Sequence, residues 1–318
     1  MSLTTIPIVD LSEFVKGDNE SKQKFVEELG KAFEETGFVS VRNHGVPQEL
    51  IDRYYALTET FFQLSTEQKK TYEIPEYAGQ RGYTSFGRDH AKGSEAPDLK
   101  EFWQIGQEVE GEVLDKKDYP DNIKGSELPE FADLGNQLFK SFENSARELL
   151  RAIGIHLGIG EFYFDKHIHN GNSILRAIHY PPITQEPKSA VRAEQHEDIN
   201  LITLLVGASA EGLQLLNKQN EWLDITAPDG CLVVNVGDML QRLTNNQLKS
   251  TTHRVVNPPC EKWHTARYSI PFFTHPRSEM RLDCLPSCVT AANPIHYAPI
   301  SAGEYLSERL VEIGLKKK

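Results

Sequence analysis

The chain has 318 residues, 39% of them hydrophobic and 25% charged, with a formal net charge of -12. Such a length buries one large core or two modest ones, in the composition of an ordinary globular protein. The acidic balance argues against a general phosphate-binding surface, so a small-molecule partner is expected and a nucleic acid is not.

Ile6-Pro7-Ile8-Val9-Asp10-Leu11 reads as a short strand leading into a helix start. Phe25, Val26, Leu29, Ala32 and Phe33 recur at helical spacing, and Gly37 stops that helix. Phe38 to Val41 is then a strand, closed by Asn43-His44-Gly45. Pro47 suits a first helical turn, and Leu50, Ile51, Tyr54, Leu57 and Phe61 continue one apolar face. From Ile74 to about Asp121, Gly79, Gly82, Gly87 and Gly93 punctuate loops and short strands. Phe131, Leu134, Leu138, Phe142, Leu149 and Ile153 mark a long helix able to back a sheet.

From Ser173 the period changes to two. Strands are expected at Ile174 to Tyr180, Asn200 to Val206, Leu213 to Leu216, Cys231 to Val236, Thr252 to Val256 and Arg267 to Thr274. Short strands without helices between them argue for a sandwich or jelly roll, not a βαβ sheet. Ala302 to Leu315 is a last helix. Cys231, Cys260, Cys284 and Cys288 include no C-x-x-C pair, so neither a zinc site nor a disulfide framework is signalled. Free thiols in a reducing cytoplasm are expected. Met1 to Ile8 lacks the features of a secretory leader, and the apolar stretch Leu201 to Ala208 is too short to span a bilayer. A cytoplasmic protein without a membrane partner is expected.

His196, Asp198, His253, Arg267 and Ser269 carry the chemical signal. Two imidazoles and one carboxylate can take one face of an octahedral ion and leave the other open, the ligand set of non-haem Fe(II) oxygenases. H-x-D alone is a weak motif. Its weight comes from the distal His253 and the R-x-S beyond it. On a strand, His196 and Asp198 point the same way, and His253 reaches the same point from a neighbouring strand. Arg267, Ser269 and Phe273 share one parity, and Tyr268, Ile270 and Phe272 the other. A fixed guanidinium beside a hydroxyl would anchor a dicarboxylate co-substrate.

These residues, with several short motifs, resemble the isopenicillin N synthase-like branch of the 2-oxoglutarate/Fe(II)-dependent oxygenases. The likeness spans nearly the whole chain. It includes Ile6-Pro7-Ile8-Val9-Asp10, Gly37-Phe38, Asn43-His44-Gly45-Val46-Pro47 and Asp98-Leu99-Lys100-Glu101-Phe102. Later it includes Tyr180-Pro181-Pro182, Gly212-Leu213-Gln214, Val234-Asn235-Val236-Gly237-Asp238, Lys249-Ser250 and His253-Arg254-Val255. The resemblance implies a double-stranded β-helix (jelly roll) core, mainly β with flanking helices. A mixed N-terminal region, residues 1–125, would join a helix-plus-core region, residues 126–318, in one compact unit.

By the same resemblance, His196, Asp198 and His253 would bind Fe(II), and Arg267, Ser269 and Tyr180 would hold the distal carboxylate of 2-oxoglutarate. Ile178 departs from the pattern, because many plant members have Asn there; one polar contact is absent or replaced. Tyr83, Phe86, Phe102 and Phe273 are candidates for the substrate pocket. The implied reaction uses O2, couples decarboxylation of 2-oxoglutarate to hydroxylation, desaturation or ring closure of a small organic substrate, and is supported by ascorbate. A 2-oxoglutarate-independent oxidase of the isopenicillin N synthase or aminocyclopropane carboxylate oxidase type is an alternative. A non-catalytic metal-binding module is another, although no ligand is lost. Oligomeric state is not legible.

Overall fold

The computed structural model describes residues 6–88, 98–109, 111–187, 190–206 and 211–316. The N-terminal part contributes strands β1 (Ile8–Asp10), β2 (Phe38–Arg42), β3 (Gly82–Thr84) and β4 (Glu101–Gly106). Its helices are α1 (Leu11–Val15), α2 (Asn19–Glu35), α3 (Gln48–Phe62) and α4 (Thr66–Lys70). Then come the long helix α5 (Pro129–His156) and the short α6 (Asp165–Ile168). The strands that follow are β5 (Ile174–Tyr180), β6 (Ala193–His196), β7 (Ile202–Val206), β8 (Leu213–Leu216), β9 (Trp222–Asp224) and β10 (Leu232–Val236). Helix α7 (Asp238–Leu243), strands β11 (His253–Val255), β12 (Arg267–Ser269) and β13 (Pro271–Thr274), and helix α8 (Ala302–Glu312) complete the chain.

Two sheets face each other. The larger has nine strands in the order β1-β2-β10-β7-β13-β5-β4-β3, with β12 also paired to β5; the smaller has the order β6-β11-β8-β9. This is the jelly-roll core. The N-terminal strands extend the same sheet at both ends, β2 against β10 and β4 against β5.

Alternation on the large sheet separates two environments. Leu175 and Ala177 of β5, Trp103 and Ile105 of β4, and Ile270 and Phe272 face a core shared with α2, α3 and α5. Phe272 stacks on Phe142 of α5 with ring centroids 5.6 Å apart. Phe102, Ile178, Tyr180, Ala193 and Val255 form a separate cluster between the two sheets. The α5 backing buries one face and leaves the other for the site.

The strand expected at Arg267 to Thr274 is two strands. Both pair with β5, but only β13 also pairs with β7. Pro271 sits at the break, where its missing N–H interrupts a ladder at least cost. Gly37, at φ +72, turns α2 into β2; a Cβ there would lie 2.3 Å from the Lys249 carbonyl oxygen.

Candidate active site

His196 ends β6, and His253 opens β11 directly opposite it in antiparallel register. Their ring centroids are 4.4 Å apart. Asp198 is not on the strand, as the sequence pattern had implied. It lies two residues beyond β6, in the irregular segment before β7. Its carboxylate is placed by hydrogen bonds instead of by strand alternation. Thr203 Oγ1 and Asn235 Nδ2 donate to Asp198 Oδ2 at 2.6 and 2.8 Å. The Asp238 backbone N–H donates to the Asp198 carbonyl at 2.7 Å.

This leaves Oδ1 facing the imidazoles, 3.9 Å from His196 Nε2 and 3.8 Å from His253 Nε2. Each ring donates its Nδ1 proton to a backbone carbonyl, His196 to Glu194 at 2.6 Å and His253 to Thr251 at 3.1 Å. Both Nε2 lone pairs are therefore available, the arrangement that fixes a metal-binding tautomer. One donor atom from each of the three residues lies within 4.8 Å of the others. Burial opposes ionisation of Asp198, but the two imidazoles and the Asn235 and Thr203 hydrogen bonds outweigh it and hold the carboxyl below its usual range. Burial, and then the neighbouring His253, disfavour protonated His196. One carboxylate and two neutral imidazoles with converging lone pairs fit a divalent first-row metal ion.

The cluster opens into a cavity of about 540 Å³. Its walls include Lys100, Arg176, Phe273 and His275 from the core, and Leu306, Arg309, Leu310 and Ile313 from α8 and the turn after it.

Two families match the chain. One, described as the N-terminal part of non-haem dioxygenases in morphine synthesis, matches residues 6–127. The 2OG-Fe(II) oxygenase superfamily matches residues 171–276, the segment that holds all three cluster residues. The 2-oxoglutarate-Fe(II) type oxidoreductase hxnY of Emericella nidulans is 31% identical, over 95% of this chain and 88% of its own. The crystal structure of a 2OG-Fe(II) oxygenase family protein from Caulobacter crescentus is 41% identical and covers 97% of this chain and 99% of its own, with a TM-score of 0.87.

The chain belongs to the 2-oxoglutarate/Fe(II) oxygenase family. It is an Fe(II)- and 2-oxoglutarate-dependent oxygenase. A full-length Neurospora crassa protein, crystallised with α-ketoglutarate and thymine, is 31% identical, covering 98% of each chain with a TM-score of 0.86.

In this oxygenase Arg267, Ser269 and Tyr180 lie on the two paired strands β12 and β5. All three are buried. Arg267 pairs in register with Tyr180, and its guanidinium carbon lies 4.9 Å from the Tyr180 ring centroid.

The four aromatic candidates part company. Phe273 lines the cavity. Phe102 lies just behind the wall; Arg176 sits against both rings, 4.4 Å from the Phe102 centroid and 4.9 Å from that of Phe273. Tyr83, a pocket candidate by sequence, is not among the lining residues of the cavity. It packs on the helix side of the sheet, where its hydroxyl donates to Glu101 and its ring lies 6.2 Å from Phe61. Phe86 is half exposed and lines a separate cavity of about 270 Å³ with Leu99, Pro181 and Pro182. Segment 89–97, part of the stretch read as loops and short strands, lies outside the described residues.

Sequence reading missed Arg176, His275 and the wall from α8. For α8 a signal existed: Leu306, Arg309, Leu310 and Ile313 recur at the three- and four-residue spacing of one helical face.

Proposed function

We propose that His196, Asp198 and His253 are the iron ligands of this oxygenase, and that Arg267, Ser269 and Tyr180 hold the distal carboxylate of 2-oxoglutarate. The convergence of two Nε2 lone pairs and Asp198 Oδ1, with His196 and Asp198 lining the cavity, carries the reading. Bound Fe(II) supplies the redox chemistry that couples decarboxylation of 2-oxoglutarate by O2 to oxidation of a substrate C–H bond.

The protein's own share is positioning. Glu194 and Thr251 fix the imidazole tautomers, and Thr203 and Asn235 aim one carboxylate oxygen. Arg267 offers a charge-assisted, geometrically rigid anchor far from water, so a dicarboxylate is held at a set depth and angle. Ser269 adds a hydroxyl on the same face. The apolar stretch of α8 and Phe273 screen the reaction space from bulk water.

We infer a small organic substrate lying against Phe273. The Neurospora crassa protein, with bound thymine in one structure and 5-formyluracil in another, supports starting the search with pyrimidines. We infer a cytoplasmic enzyme. No helix among the described residues is long and apolar enough to cross a membrane, and all four cysteines are free thiols. The regions 1–125 and 126–318 are read as one catalytic unit, because β4 pairs with β5 along six residues.

The test is succinate formation from 2-oxoglutarate with Fe(II), O2 and ascorbate, alone and with a substrate panel. Asp198→Ala should lose iron; Arg267→Ala should keep iron and raise the 2-oxoglutarate requirement at least about tenfold, the loss of one charge-assisted pair. Equal iron loss in both would contradict the assigned roles. Failure of 2-oxoglutarate to bind the anaerobic Fe(II) protein would contradict the co-substrate contacts.

A further inference from the structure

A second guanidinium lies buried close to Arg267. Arg192, just before β6, is 1% exposed, and Arg267 is 2% exposed. Arg192 Nη2 donates to the carbonyl of Thr265 at 2.9 Å, and Thr265 precedes Arg267 by two residues on the approach to β12. The buried Arg192 Nε has no hydrogen-bond partner, and among the described residues Arg192 forms no ion pair. Burying a cation without a counter-charge is costly. Here burial, and then the charge of Arg267, push Arg192 down to about 10. The next residue, Ala193, packs with Tyr180 and Ile178 in the cluster between the sheets. Ile178, the register partner of Ser269, offers no polar atom of its own.

We propose that Arg192 is a second cation of the co-substrate pocket, pairing with the distal carboxylate of 2-oxoglutarate beside Arg267. The proposal rests on the placement of that carboxylate at Arg267 and Ser269. A carboxylate offers two oxygens with about four lone-pair sites, enough for two guanidiniums. Its arrival turns a mutual repulsion into two charge-assisted pairs, and it supplies the polar contact that Ile178 cannot make. Arg192 thus favours a dicarboxylic 2-oxo acid over a monocarboxylic one.

Anaerobic calorimetry on the Mn(II)-loaded protein tests this with two ligands. One is 2-oxoglutarate; the other is 2-oxopentanoate, of the same carbon count but without the distal carboxylate. Arg192→Met should weaken 2-oxoglutarate by about tenfold or more, the scale of one charged hydrogen bond. Its affinity for 2-oxopentanoate should stay unchanged. Arg192→Lys should recover part of the loss, and it carries the comparison should the Met variant not fold. Equal weakening of both acids would mark a merely structural arginine and overturn the proposal. So would unchanged discrimination between the acids in both variants, with the wild type discriminating. A wild type that does not discriminate would instead overturn the carboxylate's placement at Arg267, and the role of Arg192 with it.

Discussion

At the scale of single residues the centre depends on where lone pairs are left over. Asp198 has two carboxylate oxygens, and Thr203 and Asn235 both donate to the same one. The other oxygen is thereby aimed at the histidines. Thr203→Val keeps the side-chain shape but removes one of those donors. Iron affinity should fall by about tenfold to a hundredfold, the usual cost of losing an outer hydrogen bond to a ligand. An Fe(II) titration checks it, and an unchanged dissociation constant would show that Thr203 does not orient the ligand. That His196, Asp198 and His253 converge was legible in the sequence, because residue type and order survive without coordinates. The manner in which Asp198 is held was not. H-x-D suggests strand alternation, whereas the chain leaves the strand at His196 and returns the carboxylate by tertiary hydrogen bonds.

At the scale of elements, the periods of two and of 3.6 residues gave most helices and the jelly-roll strands. The parity of Arg267, Ser269 and Phe273 on β12 and β13 was also correctly separated from that of Tyr268, Ile270 and Phe272. Alternation defines two faces but not which of them looks inward. Tyr83 takes the helix side: its hydroxyl joins Glu101, Lys69 and His179 in a buried polar group behind the sheet. Strand β6, only four residues long and polar at three of them, left too little apolar pattern to find. Helix α8 was found, yet its role was not, since an apolar stripe cannot tell whether it will meet a core or a cavity. Leu310→Trp should fill part of that cavity. Substrate-stimulated succinate formation should drop about tenfold or more, on the scale of a steric clash in a packed wall. Uncoupled decarboxylation and 2-oxoglutarate affinity should stay near wild type. Full stimulated activity in this variant would show that α8 does not bound the substrate.

For the whole molecule, buried and half-buried histidines contribute to the response to acid. His275, against the cavity, is pushed down to about 4 by burial, with the Phe273 carbonyl and Asp198 only partly opposing. His44 and His167 are lowered in the same direction, burial being the main cause in each. An unfolded chain takes up these protons near pH 6.5, about the ordinary histidine value. The folded chain resists until lower pH, so the unfolded state binds more protons in between. Stability is therefore complete above that value and falls as the pH drops toward 4. Urea midpoints of the metal-free protein should decline from neutral to mildly acidic pH, and His275→Gln should flatten the slope. An unaltered slope would show that His275 titrates normally.

Thr203 and Asn235 are themselves direct partners across the β7–β10 ladder. The Asp198 carboxylate is thus moored to a rung in the middle of the larger sheet, not to a peripheral loop. Divalent-ion loading should tighten that rung, and deuterium uptake at the backbone amides of β7 and β10 should slow more than at the outlying strands β1 and β3.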